Sequence, residues 1–316
     1  MRQNICNSGI LTMVSINIYN VSTGIFLLFL GVYILRIPPG KSVQKHFFGL
    51  CLLLAFWMFG LGFRGTLPTD LRGIVLNWIL IPVLFIPIML YTIVNSIFGN
   101  KNKLSKLRFI LNFIVLPYLL FVTSIGDAVK IQDPFVFSYH PTINYHLIIA
   151  YSTFYVSLSC ISILQAMIRD KGDERVRAFL LLSGIIIALF ATILCVYVFP
   201  LLGLFYSSKL AVGLLPFSII WAVAILHYDA FEIREHILEG EQPLPLLNRI
   251  ASIPILKLFW FLDREEYYSR IISSKANVIQ NVTHIHHELL WREEASSLNA
   301  KERAELLARI FSKRIR

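Results

Sequence analysis

Three histidines, His284, His286 and His287, sit close together in a helix-compatible stretch of this chain. An imidazole can hold a metal ion, move a proton or act as a nucleophile. Metal binding fits poorly, because positions i, i+2 and i+3 on a helix do not converge on one ion. A second group of residues suits recognition. Asn20, Arg64, Asn77, Trp78, Tyr151 and Tyr155 are polar or aromatic side chains inside long apolar runs. Gathered in one concave, mostly apolar site, they would suit a small amphipathic ligand. The same residue types also bond helix to helix inside a membrane, or sit in its interfacial belt.

The elements that must position these residues are set by composition. With 56% apolar and 15% charged residues and a mean hydropathy of +0.67, the chain lies far outside soluble composition. Seven apolar runs, near 14–35, 46–67, 73–98, 104–125, 146–168, 177–202 and 207–228, are each long enough to cross a bilayer as helix. The fold class expected is an all-α membrane protein, a seven-transmembrane helix bundle with a short cytosolic helical tail. Loops after the first, third and fifth runs hold 11 Lys and Arg, while the N-terminus and the alternate loops hold 5. This bias places the N-terminus outside and the C-terminus in the cytosol, in a multi-pass inner-membrane arrangement.

The net charge of +10 does not signal a nucleic-acid surface. Residues 1–228 carry 16 basic against 6 acidic side chains and residues 229–316 carry 13 of each, so the excess belongs to membrane loops. Cys6, Cys51, Cys160 and Cys195 are scattered and suggest neither a metal site nor a redox pair. No cofactor is implied. The N-terminus lacks a cleavable signal pattern, and Met13 is an alternative start to Met1. No Asp, Glu, Lys or Arg falls near a bilayer centre, which argues against a transporter or channel. Pro82, Pro87, Pro117, Pro200 and Pro216 instead interrupt the spans, freeing backbone carbonyls and opening room for a cavity.

The longest outer segment, between the fourth and fifth runs, has a strand-like patch at Phe135 to Tyr139 and reads either as a small hairpin lid or as an irregular loop. Leu210 to Gln242 joins the last span to the tail without Gly or Pro between His227 and Gly240. The segment after Gly240 contains an apolar run too short to span. It is read as lying on the inner leaflet, with a packed cytosolic segment as the competitor. Beyond it, Ile271, Val278, Val282, Ile285 and Leu289, with Lys275 between, form an a/d seam that implies a homodimer through the C-terminal helix. Asn299 and Glu302 form a capping box that would open a second amphipathic helix. The resulting divisions are 1–13 (outer terminus), 14–238 (membrane domain), 239–263 (interfacial linker) and 264–316 (helical tail).

AFWMFGLGF (Ala55 to Phe63), NWILIPVLFIPIMLYTI (Asn77 to Ile93) and the exit LHYDAFEI (Leu226 to Ile233) resemble the seven-helix N-terminal input domain of bacterial sensor histidine kinases. The resemblance covers roughly residues 15 to 238. It departs from the family's exit motif where Ala230 separates Asp229 from Phe231. It implies an inner-membrane sensor without naming a ligand; the expectation for this chain is a small or lipid-like molecule. KANVIQNVTH (Lys275 to His284) resembles the upstream half of a kinase phosphoacceptor box, which would make His284 the acceptor, but Ile285 stands where the family needs an acidic residue. HEL (His287 to Leu289) resembles the downstream half, which would make His287 the acceptor, but Leu290 and Trp291 replace the expected continuation. The alternative for both is a helix whose histidines simply face solvent.

Nothing after Arg316 supplies a nucleotide-binding domain, so the expectation is a non-enzyme. Its partners would be the lipid bilayer, a second copy of itself and a separate kinase or response regulator. Two further readings remain open: a degenerate kinase fragment phosphorylated in trans on His284 or His287, and a transporter or channel.

Overall fold

Helices follow the hydropathy pattern closely, because in lipid a spanning segment must satisfy its own backbone hydrogen bonds. The structure is a computed structural model. It describes residues 2–37, 41–99, 105–133, 137–226 and 246–291, with residues 301, 302 and 305. Among the described residues six helical stretches are long and apolar enough to span: Ile18–Arg36, Ser42–Thr66, Thr69–Phe98, Lys106–Ile125, Ile143–Arg169 and Asp173–Leu201. They coincide with the first six apolar runs of the sequence.

In chain order the elements are α1 (Arg2–Arg36), α2 (Ser42–Phe63), α3 (Thr69–Trp78), α4 (Leu80–Phe98), α5 (Ser105–Ile110), α6 (Leu116–Ile125), β1 (Val129–Asp133) and β2 (Ser138–Pro141). They continue with α7 (Ile143–Arg169), α8 (Asp173–Thr192), α9 (Phe199–Leu201), α10 (Ala211–Ile225), α11 (Leu246–Leu262) and α12 (Arg264–Trp291). The seventh apolar run begins as a 3-10 turn, Ser207–Leu210, and continues as α10, which has only 15 residues. Residues 227–245, which include most of the LHYDAFEI exit and Gly240, lie outside the described residues.

Prolines shape the spans as their chemistry requires. A proline at position i has no N–H for the carbonyl of i−4, and its ring crowds that carbonyl. Pro82 falls in the first turn of α4, just after the break at Ile79, where a missing N–H is tolerated. Pro117 and Pro200 are each preceded by a π-helical turn, Leu111–Val115 and Ile193–Val198. Widening to π geometry lets the backbone pass the proline without leaving the helix. Pro87 and Pro216 lie inside α4 and α10.

The chain divides into two compact units, Met1–Ala166 with Ala178–Ile225, and Met167–Arg177 with Leu226–Arg316. In the first unit α1 packs along α2, and α2 packs on α4 and α10. Trp221 of α10 is fully buried and donates its indole N–H to the Leu181 carbonyl of α8 at 3.0 Å. A methyl group at Gly213 would lie 2.2 Å from the Ala191 Cβ, so α8 and α10 touch backbone to backbone.

The segment between α6 and α7 forms an antiparallel hairpin, pairing Lys130 with His140 and Ile131 with Tyr139. Of the two readings of this loop, the hairpin is the one found. The strands differ from the sequence patch: Phe137 lies in the turn at φ 57°, and the second strand starts at Ser138. The partner strand, Val129–Asp133, carries too few apolar residues for its sequence to announce it.

In the second unit, α11 and α12 meet at an elbow on Asp263. Phe259 is buried there and packs edge-on against Tyr267, 6.0 Å between ring centres. The loop joining α7 to α8 closes on this elbow. Gly172 donates its N–H to Asp263 Oδ2 at 3.0 Å, Arg175 lies 3.5 Å from the same oxygen, and Arg270 pairs with Asp173 at 3.0 Å. Gly172 has φ +64°, and a Cβ there would lie 3.2 Å from Glu266 Cγ, so glycine suits the position twice over. Beside it, a hydrogen bond from Arg169 holds the Asp170 carboxyl below its usual range.

α12 is a single helix through all five seam residues and both candidate histidines. Ile271 is half-buried and His287 is exposed, while the side chains of Val278, Val282, His284, Ile285 and Leu289 lie outside the described residues. The capping box at Asn299 does so as well.

Candidate functional site

A cavity of about 350 Å³ lies in the first unit, walled by α2, α4, α7, α8 and α10. Its walls coincide with the proline distortions. Pro87 itself forms part of the lining; Ile193, Val196 and Tyr197 come from the π-helical turn of the sixth span; Leu214 and Phe217 flank Pro216. Straight helices would close ridges into grooves along this line, and the bends hold them apart. The lining is almost wholly apolar and contains no Asp, Glu, Lys, Arg or His. Ser152 belongs to the wall, but its hydroxyl oxygen is enclosed away from the space and has no hydrogen-bond partner. The volume falls within the range of small-molecule pockets, roughly 300–1,000 Å³.

A second cavity of about 30 Å³ shares Trp57 and Val196 with the first and lies under the hairpin, against Arg64, Val129, Tyr139 and Tyr145. Val196 links the two chemically. Pro200 removes the N–H that its carbonyl would otherwise accept, and the carbonyl accepts instead from the hydroxyls of Tyr145 and, at 3.4 Å, Tyr139. The two hydroxyls lie 3.4 Å apart, and Tyr139 packs edge-on against Phe205. Burial pushes the Tyr139 phenol above its ordinary value. The Arg64 guanidinium lies over the Phe137 ring at 4.5 Å and Arg72 lies 5.3 Å from the same ring, so the hairpin turn is held by cation–π contacts.

The six residues singled out from sequence take different positions. Arg64 is buried and lines the small cavity, and the other five line neither. Asn77, fully enclosed, is the fastening point of the hairpin. Its Oδ1 accepts the N–H groups of Ala128 and Val129, each at 2.9 Å, and its Nδ2 donates to the carbonyls of Val129 and Gly73, each at 3.0 Å. Trp78 is half exposed and donates to the Ser124 carbonyl at 3.1 Å.

Tyr155 donates to Asn112 Oδ1 at 2.6 Å, and its ring lies 5.3 Å from that of Tyr151 and 5.9 Å from that of Tyr91. Asn20 and the Tyr151 hydroxyl are buried without hydrogen-bond partners. Hence Arg64, Asn77 and Trp78 gather around the hairpin, while Tyr151 and Tyr155 form a separate aromatic cluster. Among the described residues no cluster of three or more His, Cys, Asp or Glu could hold a metal.

The residues that sequence reasoning passed over are the apolar walls of the large cavity. One signal was available: the spacing from Pro200 to Val196 marks a freed carbonyl. The curvature of each helix was not.

The fold and its cavity define a polytopic membrane protein whose helices are bent around a small-molecule-sized interior. The family described as N-terminal 7TM region of histidine kinase matches residues 20–234, and the chain belongs to that family of membrane sensor regions. Comparison with curated proteins and with solved structures gave no match.

Proposed function

We propose that this chain is a receptor-like sensor of the bacterial inner membrane that takes a small or lipid-like ligand into the cavity and relays its presence through the tail to a separate kinase or response regulator. The observation that carries the reading is membership of the sensor-region family across residues 20–234. A preformed apolar cavity in the same span supports it. A ligand that favours one arrangement of the bent helices shifts the bundle toward that arrangement.

The seventh crossing is assigned to Ser207–Leu210 together with α10, about 30 Å end to end and thus matched to the hydrocarbon core. The N-terminus is outside and the tail cytosolic, as the loop charges require. Exposed Trp260 and Phe261 on α11 favour the interfacial reading of that helix. α12 pairs with its copy along the seam at Ile271, Val278, Val282, Ile285 and Leu289.

The test is deletion of residues 264–316. Full-length protein carrying Val278→Cys crosslinks as a dimer, and the deletion protein loses partner association while membrane insertion is kept. A deletion protein that still signals overturns the proposal.

A further inference from the structure

We infer that the ligand of the large cavity is an uncharged molecule with a single hydrocarbon chain or compact ring system. This inference deepens the sensor reading and rests on it.

The lining sets the charge. No ionisable side chain other than Tyr197 faces the cavity, and the Tyr197 hydroxyl shares a hydrogen bond with His146 Nδ1 at 3.2 Å. An ionised head group drawn inside would lose its water and gain no counter-charge, which strongly disfavours it. Water is a poor occupant too, since the lining offers it few of the hydrogen-bond partners it needs.

Size sets the second limit. About 350 Å³ corresponds to roughly a dozen water volumes at ~30 Å³ each. That admits one medium-length chain or a compact ring system, and excludes a whole two-chain phospholipid.

Position adds a consequence. The occupant would touch Val196, whose carbonyl is tied to Tyr139 of the hairpin and to Tyr145 at the head of α7. Filling the cavity therefore bears on the hydrogen bonds that hold the hairpin.

The hydrocarbon could come from a free amphiphile or from a bilayer chain, and the test separates them. Full-length protein in phosphatidylcholine and phosphatidylglycerol nanodiscs is exposed to a diazirine-bearing medium-chain fatty alcohol, to the matching carboxylate at neutral pH, and to a diazirine phosphatidylcholine. Labelled peptides are then mapped by mass spectrometry.

The alcohol is expected to label the peptides containing Ser152 and Leu189, with unlabelled alcohol competing and the carboxylate weaker by about tenfold or more. Ala188→Phe and Leu189→Phe, two separate ways of filling the space, should each remove the label while the protein stays monodisperse and helical.

Equal or stronger labelling by the carboxylate overturns the inference. So does phosphatidylcholine labelling that free alcohol cannot displace, or alcohol labelling that survives both filling variants. Each of these leaves the sensor reading intact, because that reading stands or falls on the tail deletion.

Discussion

Removing the side-chain amide of Asn77 should release the β1–β2 hairpin without unfolding the bundle. Asn77 is 1% exposed, and its Oδ1 accepts two backbone N–H groups, those of Ala128 and Val129, each at 2.9 Å. In Asn77→Ala both donors lose their acceptor in a buried place, at a cost of about 1–3 kcal/mol each. The Val129 carbonyl also loses its donor, Asn77 Nδ2, at 3.0 Å. Taking the two N–H groups alone, the docked hairpin is weakened by about 2–6 kcal/mol. At ~1.4 kcal/mol per decade, even the lower figure raises the open population about thirtyfold. Hydrogen–deuterium exchange in nanodiscs would read this in a peptide covering residues 127–142, with α2 and α8 peptides as internal controls. Asn77→Asp keeps an acceptor for Ala128 and Val129 but turns the donor into an oxygen facing the carbonyls of Val129 and Gly73, so it too should accelerate exchange in this peptide. Exchange in Asn77→Ala within twofold of the parent protein would refute the reasoning. Equal acceleration of the controls would do so too, because the effect would then be global.

Other expectations follow from close contacts. Gly213→Leu should cut thermal stability sharply, because Ala191 occupies the space where its Cβ would go, and Ala191→Gly should restore part of the loss in the double mutant. Asp263→Ala removes the acceptor of the Gly172 N–H and the partner of Arg175, a loss of about 1–3 kcal/mol, so limited proteolysis should cut near Lys171 faster. Gly172→Ala should act in the same direction through its positive φ. Tyr139 is held protonated by burial, so its folded-state pKa lies above its unfolded value of about 10. Its contribution is fully present below that pH and is lost as the pH rises toward the folded value. The hairpin should therefore loosen in strongly alkaline buffer, read by exchange in the same peptide, and Tyr139→Phe should shift or abolish that transition.

The sequence by itself determined the membrane class, the six helices long and apolar enough to span and, to within a few residues, their limits, because helix length and hydropathy are local and the bilayer imposes one thickness on all of them. It also marked the prolines, and with them the places where a carbonyl would need a new partner. The family resemblance read from the second, third and last spans agrees with the family the chain belongs to, over nearly the same residues.

What only the tertiary structure decided was which polar residues meet. Asn77 reads in sequence as a polar group waiting for a ligand, yet it is occupied on every side by the hairpin's backbone, 51 and 52 residues away along the chain. Tyr155 reads as another such group, yet its hydroxyl is taken by Asn112 Oδ1, 43 residues away along the chain. The physical reason is the same in both cases. A hydrogen bond between spans depends on helix rotation and bend angle, and those are set by packing among all the helices at once, not by any segment of the sequence.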